Sequence, residues 1–202
     1  MNTVLQDGLR DYHLECRLQL VREHWSSVRR LWLEDADVGE GLRHVRSKLP
    51  DDFLLGVGMP GIASIKPIND GRFEFAEDGL TAVVIPAYDT IPGNLDANAE
   101  RHAEHLLDLV AVDLDHPGRF WRRRGVALVL GAAYLEIARQ EGEPVPVFKN
   151  PMSWLQGGGD GVCILDSDCA RDLLLDHELI AEDLALCEQL ETALKPSVWI
   201  AA

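Results

Sequence analysis

Two aspartates at the end of an apolar stretch are the residues of this sequence most suited to chemistry. Asp113 and Asp115 follow the apolar residues 109–112. If this stretch is a strand, its side chains alternate between two faces, and both carboxylates lie on one face. Such a pair is typical of Mg²⁺ sites in phosphoryl- and nucleotidyl-transfer enzymes. The segment Asp115-His116-Pro117-Gly118 is also typical of a turn with an aspartate cap, and we favour the turn.

Two histidines upstream extend this hypothetical metal site. His102 and His105 are three residues apart in a predicted helix, and residues at this spacing share a helix face. With Asp113 and Asp115 they form an alternative set of metal ligands, which belongs to the hypothesis of a Mg²⁺-dependent enzyme. The favoured prediction is a protein with no metal and no cofactor, because exposed helix histidines are common.

A basic and aromatic cluster spans residues 119–124. It consists of Arg119, Phe120, Trp121, Arg122, Arg123 and Arg124. Arginine stacked with aromatic rings suits phosphate or single-stranded nucleic acid. The cluster suits equally well an internal contact with acidic helices of the same chain, or an acidic surface of a protein partner. We favour the internal or protein–protein role for these residues.

A glycine-rich loop, residues 157–161, follows a predicted short helix. It contains Gly158, Gly159 and Asp160, and backbone N–H groups in such a loop can bind an anion. Together with Lys149 it forms a hypothetical small-ligand site. A P-loop would need a Lys-Ser/Thr pair and a following helix, whereas a strand is predicted here. We therefore favour a helix end followed by a tight turn.

The charge distribution limits the classes of partner. The 202 residues carry a net charge of −15, although residues 1–48 hold eight basic and eight acidic side chains and are neutral. Residues 160–202 hold ten acids against two bases, Arg171 and Lys195. A field of this sign repels polyanions, so binding to nucleic acid or to an anionic membrane is disfavoured. An acidic face that binds a basic partner is a further hypothesis.

The composition also predicts a location. No apolar run approaches the roughly 20 residues of a membrane-spanning helix, and residues 1–10 do not resemble a signal peptide. The four cysteines, at positions 16, 163, 169 and 187, form no C-x-x-C pair, which is typical of reduced structural thiols. We expect a cytoplasmic protein with no membrane contact.

An amphipathic helix is predicted near the N-terminus. Its apolar residues recur at spacings of three and four, and they are Leu14, Leu18, Val21, Trp25, Val28 and Trp32. This pattern is typical of a helix with an apolar seam. We expect the seam to bury Trp25 and Trp32 against the body of the same chain; a homodimer through the seam is the alternative.

The rest of the chain shows two different patterns of predicted secondary structure. Up to residue 90, short β-rich runs alternate with Asn69-Asp70-Gly71 and Glu77-Asp78-Gly79; both are hairpin signals and predict an antiparallel meander. Beyond Pro92, predicted strands alternate with predicted helices, which indicates βαβ-like units. The predicted helices are 98–107, 132–140, 150–156, 168–175 and 178–194, and the strands are 109–114, 145–148 and 162–165. Asn150 is the predicted N-cap before Pro151.

These elements predict one compact domain of the α+β, or mixed α/β, class. Its parts are a helical N-terminal element (1–48), a mixed sheet core (52–166) and acidic C-terminal helices (167–202).

Two blocks in the middle of the chain carry a resemblance. One runs from Leu107 through residues 119–125 to Gly131, and the other from Val145 through Trp154 to Asp166. They resemble an uncharacterised family of proteobacterial proteins associated with phage and other mobile elements. The resemblance rests on tryptophan, arginine and glycine positions. It implies an accessory setting and no particular activity.

The sequence therefore favours a non-catalytic accessory protein that binds a protein partner. The alternative is a Mg²⁺-dependent phosphoryl-transfer, nucleotidyl-transfer or hydrolase enzyme that uses Asp113 and Asp115. Whether the protein is an enzyme is left open at this point.

Overall fold

The computed structural model describes residues 12, 15–28, 60–89 and 105–194. The helices are α1 (residues 15–28), α2 (Ala132–Glu141), α3 (Pro151–Gln156), α4 (Ser167–Leu174) and α5 (Leu184–Leu194). The strands are β1 (Gly61–Ile68), β2 (Arg72–Phe75), β3 (Leu80–Tyr88), β4 (Leu106–Asp113), β5 (Phe120–Arg122), β6 (Val129–Leu130), β7 (Val145–Phe148), β8 (Val162–Ile164) and β9 (Leu179–Ala181). The predicted α+β class is confirmed, and the single domain stays a prediction.

The first sheet is a closed barrel with the strand order β1-β2-β5-β4-β3. β1 and β2 form an antiparallel hairpin in which Ile68 pairs with Arg72. In the turn between them, Asp70 and Gly71 have φ values of 65° and 67°, the left-handed conformation that aspartate and glycine tolerate best. The predicted hairpin at residues 69–71 is therefore confirmed.

The order of the first strands differs from the predicted meander because β1 lies between β2 and β3. Residues 65–68 of β1 pair with β2 on one edge, and residues 61–65 pair with β3 on the other. The turn at residues 77–79 joins two strands that are not neighbours, so the hairpin predicted there is wrong. At this turn Gly79 lies so close to the backbone of Ile65 that a Cβ atom would collide with it.

The second sheet has the order β6-β8-β7-β9, and its central strand β7 runs parallel to β8 and β9. Helices α3 and α4 make the two crossovers, which confirms the βαβ-like units. α3 begins as predicted: the Ser153 N–H donates to Asn150 Oδ1 at 2.9 Å, and Pro151 is the first helical residue. The local capping pattern is thus enough to place this helix.

Two of the predicted helices are partly wrong. The segment 178–194 starts with β9 rather than with a helix, because the edge of β7 takes it up: the Val145 N–H donates to Glu178 O at 2.7 Å, and the Glu182 N–H donates to Val147 O at 2.9 Å. In the predicted helix 98–107, residues 106 and 107 belong to β4, which pairs with β3. Residues 98–104 lie outside the described part of the chain.

β3 and β4 are buried on both faces. One face packs with Leu20 and Val21 of α1, and the opposite face packs with Met152 and Trp154 of α3. Continuous burial of this kind explains the apolar runs at residues 82–87 of β3 and 109–112 of β4. It also makes them the layer that joins α1 to the second sheet.

The orientation of α1 differs from the predicted seam. His24 and Ser27 are 2% and 3% exposed, whereas Trp25 is 38% exposed, so the predicted burial of Trp25 is wrong. The reason lies in β1, where Gly61 is so close to Ser27 that no Cβ atom would fit between them. This contact turns the Ser27 side of the helix inward. Trp32 lies outside the described residues.

Candidate functional site

The Asp113 side chain caps the turn that follows β4. Its Oδ1 accepts the N–H of Asp115 at 2.9 Å and the N–H of His116 at 3.2 Å, and its Oδ2 lies 3.2 Å from Nδ1 of His116. Partial burial raises the pKa of Asp113, but these contacts outweigh it, and the pKa lies below its usual value. The Asp113 carboxylate therefore caps this turn.

The hypothetical metal ligands do not form one cluster. Asp115 is exposed in the turn beyond β4, and Nδ1 of His105 lies 3.2 Å from Oδ1 of Asp89 instead. Within residues 15–28, 60–89 and 105–194, no three His, Cys, Asp or Glu side chains are grouped as a metal site requires. His102 lies outside this part of the chain.

Two arginines of the basic cluster make internal ion pairs. Arg122 donates to Ala127 O at 2.9 Å and to Oδ2 of Asp166, the N-cap of α4, at 3.1 Å. Arg123 donates to both carboxylate oxygens of Glu23 on α1, each at 3.1 Å, and its guanidinium lies 5.8 Å from the centre of the Phe75 ring. The cluster thus ties α1 and α4 to the barrel.

The other members of the cluster do not form a stacking surface. Trp121 is partly buried and packs against the apolar cluster beneath α1. Arg119 is exposed, and Arg124 is fixed through its backbone, whose N–H donates to Oδ1 of Asp108 at 2.8 Å. The Trp121 ring is therefore part of the packing of the core.

The glycine loop ends α3 and packs closely against its surroundings. Gly158 and Gly159 have φ values of 77° and 81°. Their N–H groups donate to Leu155 O and Trp154 O, each at 3.0 Å, so these donors are already used. Asp160 is exposed, and Nζ of Lys149 lies 3.6 Å from a carboxylate oxygen of Glu182 and 3.6 Å from one of Asp183. A helix end accounts for the loop.

A groove of about 430 Å³ lies between α2, the end of α4 and the loop before β6. We call it the α2/α4 groove. Its apolar lining residues are Leu107, Val126, Leu128, Val129, Ala132, Leu135 and Leu173. Val126 is 50% exposed and Leu173 is 41% exposed, and large apolar side chains that line one depression with this exposure are typical of interaction sites.

The rim of the α2/α4 groove is acidic. Its charged and titratable residues are Asp89, Glu136, Arg139, Asp172, Asp176 and His177. Four carboxylates face one guanidinium, so the rim carries a net charge of −3 when the histidine is neutral. The guanidinium of Arg139 already lies 2.8 Å from Oε2 of Glu136. A hydrogen bond from Gln140 is the main cause that lowers the pKa of Glu136 below its usual value, and the positive charge of Arg139 lowers it further.

The loop that presents Val126 is held by a buried carboxylate. Asp108 of β4 is fully buried, and its Oδ1 accepts the N–H groups of Leu109 and Arg124 at 2.9 and 2.8 Å. Its Oδ2 accepts the N–H groups of Val126 and Ala127 at 2.7 and 3.3 Å. Burying a carboxylate costs several kcal/mol unless hydrogen bonds offset the loss of water, as these four do. The groove is therefore preformed.

Sequence reasoning missed this groove, although one signal for it exists. Leu173, Leu174 and Leu175 are consecutive near the end of α4, and neighbouring helical residues point about 100° apart. One such leucine can face the core while its neighbours project outward. Leu174 is 1% exposed, and Leu173 and Leu175 are 41% and 49% exposed.

Comparison of the chain with protein-family models, with curated proteins and with solved structures finds no match. The resemblance to a phage-associated family stays a prediction. Among the described residues there is no helix of the length and apolarity that crossing a bilayer requires.

Proposed function

We propose that this protein is a non-catalytic interaction protein that binds a protein partner in the α2/α4 groove, in the cytoplasm and in the accessory setting that the family resemblance implies. The observation that carries the proposal is the preformed groove itself. Val126 and Leu173 stand half-exposed over an apolar floor. Three N–H groups of the loop that contains Val126 donate to one buried carboxylate, that of Asp108.

The energetics favour a binding surface. Full burial of a large apolar side chain stabilises a complex by about 1.5–3 kcal/mol, so covering two half-exposed ones contributes roughly 1 kcal/mol each. The fixed loop adds to this, because a surface that is already ordered loses little conformational entropy on binding.

The enzyme alternative has less support from the same structure. Asp113 uses its oxygens on two backbone N–H groups and a histidine ring. The guanidinium groups of Arg122 and Arg123 are used in contacts that hold the fold. Asp113, Arg122 and Arg123 thus have structural partners, whereas no described residue covers Val126 and Leu173 of the α2/α4 groove.

Selection of displayed random peptides against the full chain tests the proposal. We expect the selected peptides to shift the backbone amide signals of Val126 and Leu173, and Leu173→Asp to weaken their binding by about tenfold or more. Ile180→Asp is the matched control, since Ile180 is 54% exposed and does not line the groove. Selected peptides that bind elsewhere and tolerate Leu173→Asp would refute the proposal.

A further inference from the structure

The geometry points to the class of partner that the α2/α4 groove accepts: a short amphipathic helix with apolar side chains on one face and lysine or arginine along its edges. This inference rests on the proposed function and deepens it. It follows from the walls of the groove and from the charge of its rim.

One wall is a helix face, and the other is the end of a helix with the turn that follows it. α2 contributes Ala132, Leu135, Glu136 and Arg139, a continuous stripe at spacings of three, four and seven residues. α4 contributes Asp172 and Leu173, and the turn after α4 contributes Asp176 and His177. An apolar groove beside such a stripe fits the ridge of side chains of a further helix. An extended peptide that binds by strand addition would instead need the backbone edge of a strand.

The charge of the rim selects a cationic helix. Asp172 and Asp176 are four residues apart, flank Leu173 and are exposed. Neither aspartate makes an ion pair within the described residues, in contrast to Glu136, which Arg139 contacts at 2.8 Å. Lysine or arginine beside the apolar face of a partner helix would complement them, and such complementarity contributes to specificity and to the rate of association.

The same rim disfavours two other occupants. In a twofold dimer formed through this groove, each copy would present its own acidic rim to the other, and like charges would face each other. Residues 160–202 hold ten acids against two bases, so the C-terminal part of the chain carries the wrong sign as well. A separate, basic protein segment therefore fits best.

Two synthetic peptides of about 14 residues, four helical turns, test the inference on the full chain. Both carry the same leucine face; one has lysines at the remaining positions and the other has glutamates. We expect the lysine peptide to bind in the groove, by fluorescence anisotropy and amide shifts, with an affinity that falls as salt is added. The double variant Asp172→Asn/Asp176→Asn should weaken its binding by about three- to tenfold.

The matched control is Glu77→Gln/Glu188→Gln, which removes the same charge at two exposed positions outside the groove. We expect it to change the affinity by less than about twofold. Equal weakening by both double variants would mean general attraction to an acidic chain and would overturn the inference. Equal binding of both peptides in the groove would overturn its charge argument and leave the proposed function intact.

Two further outcomes separate the inference from the proposed function. If displayed extended peptides bind the groove and the lysine helix does not, the partner class is wrong and the binding function stands. If no peptide of either experiment reaches the groove, both are wrong. A dimer that Leu173→Asp dissociates would identify a second copy as the occupant and would also overturn the inference.

Discussion

Replacing Asp108 by asparagine should destabilise the protein far more than replacing an exposed aspartate. Asparagine has the same shape, but one of its two polar atoms is an NH₂ group that cannot accept a hydrogen bond. In either orientation of the amide, one pair of N–H donors loses its acceptor, either Leu109 and Arg124 or Val126 and Ala127. The buried site then contains donors that face each other.

The size of the effect follows from the contacts. A hydrogen bond to a charged group contributes about 1.5–3 kcal/mol, so the loss of one pair should lower the free energy of unfolding by about 3–6 kcal/mol. For a chain of this length each kcal/mol corresponds to about 2–4 °C in Tm. We therefore expect Asp108→Asn to lower Tm by about 6–24 °C in a calorimetric scan.

Hydrogen exchange distinguishes the local effect from a general one. The amides of Val126 and Ala127 should exchange faster in Asp108→Asn, because their acceptor is Oδ2 of Asp108. Asp115→Asn is the control, because this side chain is exposed in the turn after β4. We expect it to change Tm by no more than about 2 °C. An Asp108→Asn protein with wild-type Tm and unchanged exchange at residue 126 would refute the reasoning.

Two further predictions concern the arginine contacts. In a double-mutant cycle, Arg123→Gln and Glu23→Gln should show a coupling of about 1–2 kcal/mol in the free energy of unfolding, since the pair is bidentate and mostly buried; strictly additive effects in denaturant titrations would contradict this. For Asp166, burial raises the pKa, but the Cys169 N–H and Arg122 outweigh it and the pKa is lowered. Its stabilising effect should be complete above the ordinary value of about 4 and should be lost as the pH falls through the lowered pKa. Asp166→Asn should therefore flatten the decline of Tm below about pH 4, and an unchanged acid profile would show that the contact contributes nothing.

The parts of the fold that the sequence predicts well are those that local chemistry decides. Asn150 and Pro151 define the start of α3 through contacts within four residues, and Asp70 with Gly71 defines a turn through backbone conformation alone. β9 was missed because three residues between two helices take their form from pairing with β7. No periodicity within a run this short distinguishes a strand from a helix.

The candidate site depends on contacts that are distant in sequence, and these could not be predicted. An internal or protein–protein role for the arginine cluster was the favoured hypothesis, but the sequence could not identify the contacts: the partner of Arg123 lies 100 residues away and that of Arg122 lies 44 residues away. The α2/α4 groove combines residues from 89 to 177. Its only local sign is the run of leucines at residues 173–175.

The position of β5 in the barrel has a consequence for synthesis of the protein on the ribosome. β5 is the last barrel strand in the sequence, yet it lies between β2 and β4, so the ring of strands stays open until residues 120–122 have emerged. Arg123 follows Glu23 by 100 residues, so at about 5–20 residues per second their contact can form only about 5–20 s after Glu23 is synthesised. From its own synthesis until β5 has emerged, β2 exposes a backbone edge, and β4 does so for the last part of that time. A nascent chain held at this stage is where strand mispairing should concentrate.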